Sequence, residues 1–182
     1  MHNAVPFVRK AILEDAIVLA QHIRKLDKLE IKYSHNISPI GALMSAFQTP
    51  NNINYSIVDD DGYVYAMFGV SDCLKTKSHG VIWLLCSEEP KKFPRRFYTE
   101  SKYWLDILQQ DYEVIYNYVY EKNWLSLKWL QLCGFKPVKK VKIGLKNKNF
   151  ILTINNVPPI EGLDNRAVFE NYFKSLFYSQ KL

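Results

Sequence analysis

The sequence predicts a mixed α+β domain: a central, mostly antiparallel sheet of about seven strands flanked by about four helices. Three observations carry this. Between His79 and Val138 the chain reads strand, basic turn, helix, strand, helix, strand, with HGVIWLLC and YEVIYNYVY as its two apolar strands. Upstream, Asp59-Asp60-Asp61-Gly62 separates the β-type runs Ile53 to Val58 and Tyr63 to Val70, and its Asp-Gly pair signals a tight hairpin turn. Hydrophobic residues make up 48% and aromatics 14% of 182 residues, enough for a single domain with a proper core and too much for a disordered chain.

The elements follow in order. A short strand near residues 6–12 leads into a helix near 13–29, where Ala16, Leu19, Ala20, Ile23 and Leu26 recur at helical spacing. A second helix near 38–48 has Ser38 as N-cap and Pro39 in its first turn. After the hairpin, the strand at 63–70 is apolar on both faces and belongs in the middle of the sheet. A polar loop from Asp72 to Ser78 precedes the equally apolar strand Val81–Cys86. A helix near 95–109 buries Trp104, Leu105 and Leu108, and the strand Val114–Tyr120 sets Val114, Tyr116, Tyr118 and Tyr120 on one face. The helix from Asn123 places Leu125, Trp129 and Leu132 on one stripe and stops at Gly134. Strands near 137–145 and 149–155 close the sheet. Val157-Pro158-Pro159 then divides a domain at 1–156 from an extension at 157–182. Residues 165–178 of the extension place Phe169, Tyr172, Phe173, Leu176 and Phe177 along one helical stripe, to pack on the domain or on a partner.

Composition narrows the classes. The chain passes directly into a strand pattern at Phe7, without the look of a signal segment, and no apolar run approaches the roughly 18 residues of a membrane span. Cys73, Cys86 and Cys133 are too widely spaced for a metal motif and odd in number, which suits a reducing cytoplasm. Net charge is +6 and unevenly placed. From Lys122 to Ile160 there is no acid but eight lysines, from Lys122 and Lys128 to Lys146 and Lys148. Such a basic hairpin is either a solvated face or a surface for an anionic partner such as nucleic acid. No zinc spacing, helix-turn-helix cue or aromatic RNA-binding motif accompanies it.

The order β-α-α-β-β-β-α-β-α-β-β resembles the GNAT superfamily of acyl-CoA-dependent N-acyltransferases. Val8-Arg9-Lys10-Ala11 with Glu14-Asp15-Ala16 and Leu19-Ala20 is similar to its opening strand and helix. Asn123-Trp124-Leu125-Ser126 leading to Gly134-Phe135 is similar to its late helix. Within the superfamily, Ile82 to Cys86 through Asn117-Tyr118-Val119 and Asn123 looks most like the small GNAT-like proteins of short-tailed bacteriophages, which are counted among internal-core or virion-morphogenesis proteins. The resemblance covers about residues 6–155.

That resemblance implies a cofactor site for acetyl-CoA or CoA. The pantetheine arm would slot between Val81–Cys86 and Val114–Tyr120, pairing with the backbone of Leu84, Leu85 and Cys86. Asn123 and Ser126 of the late helix would contact the cofactor, with N-capping as the alternative role of Asn123. The family's Gly-rich phosphate turn is replaced here by Glu88-Glu89-Pro90-Lys91-Lys92-Phe93-Pro94-Arg95-Arg96. With no glycine to permit close backbone approach, the phosphates would fall to side chains, Lys92, Arg95 and Arg96 among them.

The catalytic positions are also altered. The family's acid, a Tyr four residues after Ser126, is Leu130, and its fourth-strand Glu is replaced by apolar residues around Trp83. Tyr118, Tyr120 and Glu88 are substitutes by position. Cys86 lacks a His partner and reads as a small hydrophobe, His79 and His35 fall in loops, and no catalytic residue is assigned. Three functions follow. One is a GNAT-fold phage-type protein with altered or lost catalysis that serves the virion or its assembly, in the host cytoplasm or the virion, with other virion proteins or itself as partner. The second is an active acetyl-CoA-dependent N-acetyltransferase acting on a protein lysine or small amine. The third is a nucleic-acid-binding α+β module.

Overall fold

The computed structural model describes residues 5–155, except residue 93 and the side chains of residues 91, 92 and 94. The element order is β1 (Phe7–Lys10), α1 (Leu13–His22), α2 (Lys25–Ser34), α3 (Pro39–Gln48), β2 (Ile53–Val58), β3 (Val64–Cys73) and β4 (Thr76–Cys86). A 3-10 turn (Glu89–Lys92) then precedes α4 (Pro94–Gln109), β5 (Val114–Tyr120), α5 (Trp124–Leu132), β6 (Lys136–Ile143) and β7 (Lys148–Asn155). The strands form one sheet in the order β1-β2-β3-β4-β5-β7-β6. Every neighbouring pair is antiparallel except β4–β5, which is parallel. This is the fold class the sequence predicts.

Five α-helices stand among the described residues where about four were expected, because the periodicity over 13–29 conceals a break. Ile23 (φ −58°, ψ 138°) and Arg24 (φ −62°, ψ 151°) are extended, so α1 ends and α2 begins afresh. A helical Arg24 would have spent its amide on the helix's own carbonyl ladder. Extended, it donates to the Cys86 carbonyl at 2.8 Å.

A second difference lies between β3 and β4. The residues expected as a loop, Asp72 to Ser78, are the end of one long antiparallel pair, with Asp72 opposite Gly80 and Cys73 opposite Thr76. His79 therefore lies inside β4 at 4% exposure rather than in a loop. Polar residues disguised this hairpin, and tertiary bonds hold it: Asp72 accepts from the Tyr112 hydroxyl at 2.8 Å and from Asn51 Nδ2 at 3.0 Å.

The period-2 alternation of the strands divides two cores. Phe68, Val70, Ile82, Ile115 and Val119 pack beneath α4 and α5 with Leu105, Leu108 and Leu130. Val58, Val64 and Met67 meet Ala16 and Leu19 of α1 and Leu43 of α3 on the opposite face. Each of these side chains larger than Ala16 contributes about 1.5–3 kcal/mol when fully buried. Capping follows the sequence: Ser38 Oγ accepts the Gly41 amide at 3.2 Å, and Gly134 turns the chain after α5 at φ +94°. The buried stripe of α5 departs from expectation. Ser126 and Leu130 face inward and Leu132 is half exposed, because Ser126 is drawn to Arg24 across the sheet. The expected helix over 165–178 lies outside the described residues.

Candidate functional site: the cleft between two diverging strands

β4 and β5 are in register over three pairs only, His79 with Val114, Gly80 with Ile115 and Val81 with Tyr116. Beyond these they separate, and the backbone edges of Ile82–Cys86 and Asn117–Tyr120 face a wedge. Strand alternation decides which groups point into it. The Ser87 amide donates to the Tyr65 carbonyl on β3, and the Cys86 amide points the other way. Leu84, two residues back, thus turns its N–H and C=O into the wedge, and Leu85 turns its own toward β3.

The wide end of the wedge is bridged by α2. Asp27 Oδ2 accepts from the Cys86 amide at 2.9 Å and from Arg24 Nε at 2.7 Å, and Oδ1 accepts from Asn123 Nδ2 at 3.1 Å. One turn on, Glu30 Oε2 accepts from the Tyr120 amide at 2.9 Å and from Asn123 Nδ2 at 3.0 Å. Arg24 Nη2 donates to Ser126 Oγ at 2.7 Å. One carboxylate therefore holds the end of β4 and the next holds the end of β5, with the start of α5 tied to both. Arg24, Asp27 and Asn123 are buried, Asn123 at 0% exposure. Burial pushes the Asp27 carboxyl up, against the pull of Arg24 and of the Cys86 and Asn123 amides.

Beneath this bridge, on the α2–α3 side, lies a cavity of about 450 Å³ lined by residues of α2, α3, β4 and β5, with Ile143 and Phe150 from the last hairpin. Glu30 is on its wall. Burial, followed by repulsion from Asp27, pushes the Glu30 carboxyl up to about 7. Its Oε2 carries both hydrogen bonds described above, and Oε1 has no partner among the described residues. Tyr118 lines the same cavity, its phenol pushed up to about 12 by burial. On the opposite face, under α4 and against β1–β4, lies a small cavity of about 40 Å³, room for one or two waters.

Of the expected cofactor residues, Leu84, Cys86, Asn123 and Ser126 stand at the wedge, and most of them are engaged there. Leu84 offers a strand edge to it. Leu85 faces β3. Both backbone groups of Cys86 are taken, the carbonyl by Arg24 and the amide by Asp27. Asn123 caps α5, accepting the Ser126 amide at 3.5 Å, and spends its amide group on Asp27 and Glu30. Arg96 is turned to Glu100 at 2.6 Å and to the Pro6 carbonyl at 2.7 Å, and Arg95 is exposed. Lys92 lies in the 3-10 turn, and its side chain is outside the described residues.

A CoA-type cofactor therefore fits this arrangement along Ile82–Leu84 and does not fit at Cys86, where its arm would meet Arg24 and Asp27. Cys86 itself is a buried thiol pushed up to about 12 by burial. Among the described residues no cluster of His, Cys, Asp or Glu could hold a metal ion, and no helix is long and apolar enough to cross a membrane.

The sequence reading missed Arg24, Asp27 and Glu30. Their signal was present as three charges at i, i+3 and i+6, one helical face. It was overlooked because the apolar stripe of a single long helix ran through the same residues.

No family model matches the sequence, and no curated protein matches it. Solved structures share its fold. AAC(6′)-Ib in complex with ribostamycin and coenzyme A superposes with a TM-score of 0.62 at 10% identity, over 91% of this chain and 96% of that one. A putative acetyltransferase from Acinetobacter baylyi gives 0.63 at 10% identity, over 91% and 99%. A mutant of the spermidine N-acetyltransferase SpeG from Vibrio cholerae gives 0.60 at 10% identity, over 82% and 92%. The chain has the GNAT fold. The closer relationship to phage virion proteins has no support in these likenesses.

Proposed function

We propose that this is a GNAT-fold protein of acyltransferase type whose cofactor cleft is closed from within, and that it serves as a contact protein, in a virion or its assembly. The carrying observation is the bridge at Cys86: the strand edge meant for a pantetheine arm is already bonded to Arg24 and Asp27. The replaced phosphate turn and the engagement of Asn123 and Ser126 support the same reading. The virion role rests on the sequence resemblance alone. Edge strand β6, with Lys136, Lys139, Lys140 and Lys142 exposed, is the surface we assign to an anionic partner.

Thermal unfolding with acetyl-CoA and CoA tests it. A ligand at 100 times its dissociation constant adds about 2.7 kcal/mol, or roughly 5–10 °C for a chain this size. No shift is expected, and a rise of that order with either ligand overturns the reading.

The second reading, an active N-acyltransferase, is favoured by Glu30. A carboxyl pushed up to about 7, with one oxygen unpartnered among the described residues, is suited to take a proton from an amine. Acetyl transfer to an amine that vanishes in Glu30→Gln would establish it.

A further inference from the structure

We infer that the chain's own C-terminal segment, residues 165–178, docks as a helix on the face formed by β5 and β7, beside the part of the sheet covered by α1 and α3, and seals Leu152 and Ile154. The inference does not depend on whether the cofactor cleft is closed.

The face comes first. Ile154 stands opposite Tyr116 and Leu152 opposite Tyr118. Val81 stands opposite Tyr116 across the parallel pair, so by alternation these residues share the side of Trp83 and Leu85, which pack with α1 and α3. Leu152 and Ile154 are 0% and 3% exposed, yet the described apolar residues packed on them, Val114, Tyr116 and Tyr118, all belong to β5 in the same sheet. Side chains rise from a sheet roughly at right angles, and neighbours within one layer do not close it from above. Full burial calls for a second layer. α2 meets β5 at its far end, through Tyr33 and Tyr120.

The residues after Asn155 can supply that layer. Asn155 follows Ile154 directly and pairs with Ile115. Residues 156–164 separate it from the predicted helix, a reach of roughly 30 Å when extended. Leu152 lies three residues back along β7, roughly 10 Å, so this linker is long enough to reverse over it. A helix over 165–178 spans roughly 21 Å and turns Phe169, Tyr172, Phe173, Leu176 and Phe177 to one side. Charge agrees with this placement. Lys136 and Lys139 stand opposite Ile154 and Leu152 on the rim of the patch, and the segment carries Glu161, Asp164 and Glu170. Pairs at such a rim set orientation more than strength. Lys140 and Lys142 alternate to the other face and stay with the edge surface assigned above.

Thermal unfolding of the full chain and its variants tests this. Of Phe169→Ala, Phe173→Ala and Phe177→Ala, at least one should lower the midpoint by about 4 °C or more. Ser175→Ala, on the opposite side of the helix, should stay within about 2 °C of wild type. Combined with Leu152→Ala, that Phe variant should fall at least about 2 °C short of the sum of the two single losses, the mark of a direct contact. The losses should not change with protein concentration. Three results would overturn the inference. Midpoints unchanged in all three Phe variants would give the stripe to another protein. Losses that simply add to that of Leu152→Ala in all three would place the helix elsewhere on the domain. Losses that shrink on dilution would assign the face to a second copy of the chain.

Discussion

Asp27 accepts the backbone amide of Cys86 at 2.9 Å, joining two residues 59 positions apart. Around this bond the one parallel pair among the described strands is allowed to open. β4 and β5 lose their mutual hydrogen bonds after Tyr116, and each freed amide at the open end needs another acceptor. Asp27 satisfies one and Glu30 the other. The helix break at Ile23–Arg24 makes this possible by letting the start of α2 meet the strand end.

Removing Asp27 should be severe. Asp27→Ala strands the buried Arg24 charge and the Cys86 amide together, and breaking a buried pair costs about 3–5 kcal/mol. Chemical denaturation should show that loss. A cost under about 1 kcal/mol would mean the bridge is not a support of the fold.

Glu30 gives the stability a pH slope. Its carboxyl lies at about 7 when folded, against an ordinary 4.5. Between those values the folded chain holds a proton that the unfolded chain has released, so stability falls as pH rises from about 4.5 through 7. Glu30→Gln should flatten the curve in that window. Midpoints of wild type and variant measured from pH 4 to 8 check this, and parallel curves would refute it.

The thiols should differ in reactivity. Burial pushes Cys86 and Cys133 both up to about 12, leaving on the order of one thiolate in ten thousand at pH 8. Cys73 is less buried. Labelling of the native protein with a thiol reagent should give one fast site, at Cys73, and two that react only at the rate of unfolding. Fast labelling of Cys86 would show that the bridge over it opens readily.

Gly144 in the β6–β7 turn should not tolerate a side chain. It sits at φ +72°, and a Cβ there would lie 1.8 Å from the Tyr33 carbonyl oxygen. Gly144→Ala should force the hairpin away from α2 and cost more than the roughly 0.5 kcal/mol that bounds an ordinary surface change. A midpoint equal to wild type would contradict that contact.

The sequence by itself determined the class and most of the elements. The Asp-Gly turn, Ser38 with Pro39, Asn123 and Gly134 are local signals, and local chemistry is legible along a chain. Doubly apolar runs announced the central strands for the same reason, since their burial depends only on pattern. Tertiary structure alone decided that the helix over 13–29 breaks at Arg24 and that 72–80 is a hairpin. It also decided that Asn123 and Ser126 face Asp27, Glu30 and Arg24. Each of these depends on hydrogen bonds to a residue far along the chain. Such a partner leaves no periodicity behind, because what selects it is the need of a buried amide or carboxylate for a mate, wherever the fold brings one.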